Sequence, residues 1–105
     1  MKRPATAVLT LVIVAAAAVG AMAGDPAAGK AKANVCAACH GPAGLSPNGQ
    51  WPNLAAQKAE YIILQLKAFK EGARKNALMS PQAAGLTDKD IEDLAAYYAS
   101  MNCNK

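Results

Sequence analysis

Cys36, Cys39 and His40 lie within five residues of the stretch NVCAACHGPAGLS (34–46), and His40 is the chain's only histidine. Two thiols and an imidazole that close together suit three chemistries: a zinc site, a redox dithiol or a covalently held haem. Structural zinc takes four ligands, almost always Cys or His. Beyond this stretch only Cys103 remains, and the adjacent Cys39 and His40 fit poorly around one tetrahedral ion. A thioredoxin-type dithiol also uses Cys-x-x-Cys, but it accompanies a βαβ pattern and has no need of the histidine. Cys-x-x-Cys-His is the attachment pattern of haem c. Two intervening residues let the backbone turn so that both sulfurs reach one porphyrin edge, and the small Ala37 and Ala38 leave that turn unobstructed. His40 then swings beneath the ring plane and offers its imidazole to iron. The expected cofactor is one haem c, bonded through Cys36 and Cys39, with His40 as an axial ligand.

With no second histidine, a bis-histidine site within one chain is excluded. A thioether as the second axial ligand would raise the potential and suit electron transfer. Past the leader described next, the chain offers Met79 and Met101. Met101 stands seven residues after Leu94 on an apolar helical face and reads as core. Met79 sits in the stretch NALMSPQAAG, where no periodicity assigns it to packing. It is the expected ligand, the alternative being a methionine that simply fills a gap.

The first 23 residues read as a secretory signal peptide: Lys2 and Arg3, an apolar run over 7–19, then small residues at Ala21 and Ala23. The run is marginal for a bilayer span of roughly 20 residues, so cleavage after Ala23 and no stable membrane insertion are expected. The domain is then 24–105, and export implies the periplasm. An oxidising compartment rarely leaves a thiol pair unprotected, which argues against Cys36 and Cys39 as unrelated core cysteines. Of 11 basic and 7 acidic residues, Lys2 and Arg3 leave with the leader, so the formal charge falls from +4 to +2. That charge gives no argument for nucleic acid, which demands a clustered basic face. Lys67, Lys70, Arg74 and Lys75 are close in sequence, either a solvated helix face or a docking patch for an acidic partner.

Such a small domain, rich in alanine and short of aromatics, often needs a staple beyond its core. Three helices and two long loops are expected to position the site. Asp25-Pro26 begins the first, running to about Cys39. Glycines and prolines then fill 41–52. Ile62, Leu66 and Phe69 repeat on one face of the second, with Gly72 as its stop. After the loop at 73–85, Thr87 caps the third with Asp90 completing a near capping box, and Ile91, Leu94, Ala95 and Tyr98 form its apolar face. No convincing strand is present. Long loops in a compact domain are functional or disordered, and a ligand lying between them would explain both.

The segments GDPAAGKAKANVCAACHG, WPNLAAQKAEYIILQLKAFKEGARKN, LMS and LTDKDIEDLAAYYAS resemble, in order and spacing, the small class I cytochromes c of the bacterial periplasm. The chain is similar to the monohaem cytochromes c-five-five-three and to one half of the dihaem cytochromes c-four. The resemblance implies an all-α fold with crossing N- and C-terminal helices and loops wrapped around one haem. It implies close approach of the C-terminal helix to Gly29 near Tyr97, and Pro42 bracing His40. It implies Trp51, Pro52, Asn53 and Leu54 at the haem's lower edge, with the Trp51 indole able to bond a propionate or simply be buried. Arg74 would pair with a propionate or be solvated. Leu64, Leu94 and Tyr97 would line the pocket wall.

Iron saturated by His40 and Met79 has no site for substrate. The expected function is that of a periplasmic carrier of single electrons between redox proteins such as a membrane cytochrome complex, a terminal oxidase or a periplasmic reductase, rather than an enzyme. Without Met79 ligation, the alternatives are a gas-binding or peroxidatic haem protein. A further alternative is a haem subunit of a larger oxidoreductase. Cys103 is either a free thiol or the link of a disulfide dimer.

Overall fold

The computed structural model describes residues 1–13 and 24–103. The expected cleavage site and the second half of the leader's apolar run lie outside the described residues. Residues 1–13 carry no helix or strand. Among the described residues no helix is long and apolar enough to cross a membrane.

Among the described residues five helical segments form the fold: α1 (Pro26–Lys32), α2 (Asn34–His40), α3 (Ala59–Glu71), α4 (Met79–Ala84) and α5 (Asp88–Ser100). The Asp25 carboxylate accepts the Ala27 amide at 3.0 Å, and Pro26 occupies the first turn, where a missing N–H costs nothing. The single helix expected over 26–39 is divided at Ala33. Its amide is shared between the carbonyls of Gly29 and Lys30, so the chain tightens by a fraction of a turn there and continues as α2. This re-aims the Cys36–His40 segment relative to α1. Gly41 ends α2 at φ +84°, and a Cβ there would overlap the Leu45 carbonyl oxygen, so only glycine makes that turn.

α3 stops at Gly72, as its sequence suggests, with the glycine in the left-handed conformation. α5 starts with the full capping box: Thr87 Oγ1 accepts the Asp90 amide at 3.1 Å, and Asp90 Oδ2 accepts the Thr87 amide at 3.0 Å. The expected loop over 73–85 is not loop throughout, since it contains α4. Proline at the third position of α4 is tolerated because the first-turn amides have no intrahelical partner.

α1 crosses α5, and α3 packs against both α5 and α4. At the crossing, a Cβ on Gly29 would overlap the Asp93 carbonyl oxygen and crowd Tyr97 Cβ. The close approach is therefore built on a residue without a side chain. The core cluster joins Ala33, Ile62, Leu94, Ala95 and Tyr98, with Ile91 fully buried nearby. All four apolar-face positions named for α5 are buried. Met101 lies just past α5, half-buried against this cluster, as its spacing from Leu94 implies.

Asp93 is a buried carboxylate on α5. Its oxygens accept the Asp25 amide at 2.8 Å and the Lys89 ammonium at 2.6 Å. These two contacts, the amide first, hold its carboxyl below the usual carboxylate range. They also fasten the entry to α1 onto α5.

Candidate functional site

A cavity of about 580 Å³ opens between α2 on one side and α3, α4 and the 50–57 segment on the other. Cys36, Cys39 and His40 form part of its wall, and Met79 is another part. Trp51, Pro52, Asn53 and Leu54 line it together, as the resemblance implies. Trp51 and Leu54 are half-buried, and Leu54 also packs against the core.

His40 is buried, and its Nδ1 lies 2.8 Å from the Pro52 carbonyl oxygen. A carbonyl only accepts, so Nδ1 carries the proton and Nε2 keeps a free lone pair. This is how a metal-binding imidazole is oriented by the group behind it. The expected brace was Pro42. The structure assigns the role to Pro52 instead, because the loop 41–55 folds back over α2. That fold-back is tied across its neck by the amides of Leu54 and Ala55, both donating to the Gly44 carbonyl at 2.8 and 3.0 Å. Within the loop, Asn53 Oδ1 accepts the Ser46 amide at 2.7 Å, and Ser46 Oγ donates to Asn48 O at 2.8 Å.

Two of the expected wall residues are elsewhere. Leu64 points away from the cavity and is 63% exposed. The Tyr97 ring lies 5.2 Å from that of Tyr98, tilted by 51°, but borders a smaller cleft on the far side of α2. Leu94 does line the cavity, and Tyr98 takes the place assigned to Tyr97. One residue along a helix is a turn of about 100°, so a neighbouring position faces a different layer.

The Tyr98 hydroxyl is buried without a hydrogen-bond partner. It faces the Cys36 thiol closely enough that each perturbs the other, and burial pushes both groups above their ordinary values. A buried orphan hydroxyl costs about 1–3 kcal/mol, so a phenol retained here fits a cavity that is filled by a further group. Among the described residues the cavity wall has no carboxylate, while Lys32 and Arg74 stand at it. Arg74 lies over the Phe69 ring at 4.5 Å and donates to Gln65 Oε1 at 2.7 Å. An apolar slot with a paired thiol edge, one oriented imidazole, a thioether and cationic side chains fits a haem with two acidic propionates.

Met79 is half-buried at the start of α4. Cys103 is exposed beyond α5, with no cysteine bonded to it, and the structure adds nothing in favour of a covalent dimer. Of the four clustered basic residues, Lys70 donates to the Leu86 carbonyl at 2.6 Å and Arg74 is held as described.

The cytochrome c family profile matches residues 26–102. A cytochrome c4 of Thiocapsa roseopersicina is 57% identical over 79 residues, covering 74% of this chain and 41% of that protein. Cytochrome c-554(548) of Halomonas halodenitrificans is 49% identical over 82 residues, 75% of this chain and 99% of that protein. A protein of Stutzerimonas stutzeri described as a thiosulfate dehydrogenase electron acceptor is 41% identical over 69 residues, 63% of this chain and 32% of its own length. The crystal structure of reduced recombinant cytochrome c4 from Pseudomonas stutzeri superposes with a TM-score of 0.72 at 40% identity, over 75% of this chain and 46% of that one. The chain thus spans less than half the length of the cytochrome c4 relatives and essentially all of the c-554(548). Its all-helical fold is that of a class I cytochrome c, its cofactor is haem c carried on Cys36 and Cys39, and the chain belongs to the cytochrome c family.

Proposed function

We propose that this domain carries single electrons between redox proteins of the periplasm, with its iron held between His40 and Met79. The observation that carries the reading is the oriented imidazole: His40 is buried, its Nδ1–H is committed to Pro52, and it shares one cavity with Met79. Haem c, when bound, supplies a one-electron couple between ferric and ferrous iron. The rest is done by the chain. Cys36 and Cys39 hold one edge. His40 offers Nε2 in a fixed tautomer. Met79, in the same cavity, would supply a soft sulfur that favours the reduced state. Leu54, Leu66, Phe69, Leu86 and Leu94 keep water from the interior. Trp51 at the lower edge has an N–H able to reach a propionate.

With His40 and Met79 both holding the iron, no position on it would stay open to a substrate, and the domain would work as a carrier rather than a catalyst. Its partners are redox proteins, in keeping with a relative described as the electron acceptor of a thiosulfate dehydrogenase. The leader over 1–23 supports an exported, periplasmic location. The optical spectrum of the oxidised holoprotein tests the reading. It should be low-spin, with a weak band near the red edge of the visible that disappears in Met79→Ala. High-spin iron in the untreated protein would overturn it, in favour of a gas-binding or peroxidatic site. Co-purification with a larger enzyme would point to the subunit role.

A further inference from the structure

α4 has only six residues and no side-chain cap of the usual kind at Leu78. Helices so short are marginal by themselves, yet this one bears the thioether on its first residue. The stretch before it explains how it holds its place. Asn76 Oδ1 accepts the amides of both Leu78 and Met79, each at 2.9 Å. In return Ser80 Oγ accepts the Asn76 amide at 3.0 Å, and the Asn76 carbonyl accepts the Ser80 amide at 3.0 Å. Four hydrogen bonds thus close a ring around Met79, and one of them ends on the Met79 amide itself. Asn76 also lines the cavity. Among the described residues α4 packs on α3 and buries Ala83 there, so packing anchors the later part of α4 while the ring sets where the Met79 backbone begins.

We infer that Asn76 is the positioning residue for Met79. Its side chain holds the backbone of residues 78 and 79 in the turn that presents the sulfur to the cavity, with Ser80 as the reciprocal clasp. The inference rests on the reading that Met79 binds iron. Asn76 touches neither iron nor haem in this role and acts only through Met79. Without it, the turn opens more often, and an added ligand takes the position that Met79 leaves.

Imidazole titration of the ferric holoprotein, followed by the spectrum, tests this. Removing a side-chain cap of this type weakens a turn by an amount equivalent to about a fivefold change in an equilibrium. Asn76→Ala should therefore bind imidazole about fivefold more tightly than the parent. Asn76→Asp, which keeps the acceptor, should restore nearly the parent affinity. Thr87→Ala removes an equally ordered cap from α5, away from the cavity, and serves to separate general loosening from positioning. It should lower the denaturation midpoint yet leave imidazole binding unchanged. An Asn76→Ala affinity equal to the parent's, alongside tighter binding in Met79→Ala, would overturn the inference and leave Met79 as ligand. Imidazole binding no tighter in Met79→Ala than in the parent would overturn both. Should Asn76→Ala not accumulate as folded protein, Ser80→Ala opens the other half of the ring. It should raise the affinity about twofold, and no rise would overturn the inference.

Discussion

His40 and Asp93 illustrate how one side chain is defined by what stands behind it. The imidazole is oriented because Pro52 takes the proton-bearing nitrogen, leaving the lone pair of the other free. The carboxylate is useful because it is paired: the Asp25 amide and the Lys89 ammonium both favour its charged form. A carboxyl held below its ordinary value of 3.8 stabilises the fold fully above that value, and the contribution is lost as pH falls through the lower, folded value. Asp93→Asn should therefore unfold at lower denaturant than the parent at pH 7, and the gap should narrow below pH 4. An equal gap at pH 7 and pH 3 would show that the charge is not what matters. Asp90 shifts in the same direction, chiefly through the Thr87 amide, so the parent should lose stability in acid beyond what Asp93 alone explains.

The helices matter for where they aim residues more than for their length. The tightening at Ala33 separates a segment that packs on α5 from one that presents Cys36, Cys39 and His40 to the cavity. The α1–α5 crossing depends on Gly29, whose missing side chain lets two backbones touch. Gly29→Ala requires the helices to part. Overpacking of this kind costs typically 1–3 kcal/mol. Because the obstacle is a backbone carbonyl rather than a flexible side chain, a loss of about 3 kcal/mol is expected, read as a lower urea midpoint of the holoprotein with an unchanged slope. An unchanged midpoint would mean that the crossing is looser than it looks. The same holoprotein should keep its axial spectrum, since the crossing lies behind the cavity.

Over the whole molecule, charge is sparse and scattered. Lys32 pairs with Asp90 at 3.5 Å on the surface, an arrangement worth little in water. Lys70 and Arg74 are occupied locally. Around the cavity, exposed apolar Val35 on α2, Tyr61 on α3 and Leu78 before α4 stand among exposed polar side chains, with Lys32 and Arg74 as the only cations in that lining among the described residues. Strong electrostatic steering changes association rates by 10- to 1,000-fold and collapses with salt. Electron exchange between this domain and a redox partner should instead change by less than about tenfold as salt is raised from low to high concentration. A steeper loss, measured by stopped-flow mixing, would show that the lysines after α3 dominate docking after all.

Much of this was legible before any coordinates. Cys36, Cys39 and His40 declared the cofactor by type and spacing, because covalent attachment demands a local pattern that no distant residue can alter. Asp25-Pro26, Gly72 and Thr87 marked helix ends correctly, since capping chemistry acts within one turn. The apolar face of α5 followed from its period. What failed had long-range causes. Pro52 rather than Pro42 supports His40, because a loop returns over α2. Tyr98 rather than Tyr97 faces the cavity, because the crossing at Gly29 sets the rotation of α5. Asn76 carried no signal, since an asparagine in a turn is ordinary until its hydrogen bonds to the amides of Leu78 and Met79 are seen. The sequence by itself determined which group is bound and by which atoms it can be tethered. Only the tertiary structure decided what stands behind the imidazole and which tyrosine lines the cavity, because those depend on how distant segments come to rest against one another.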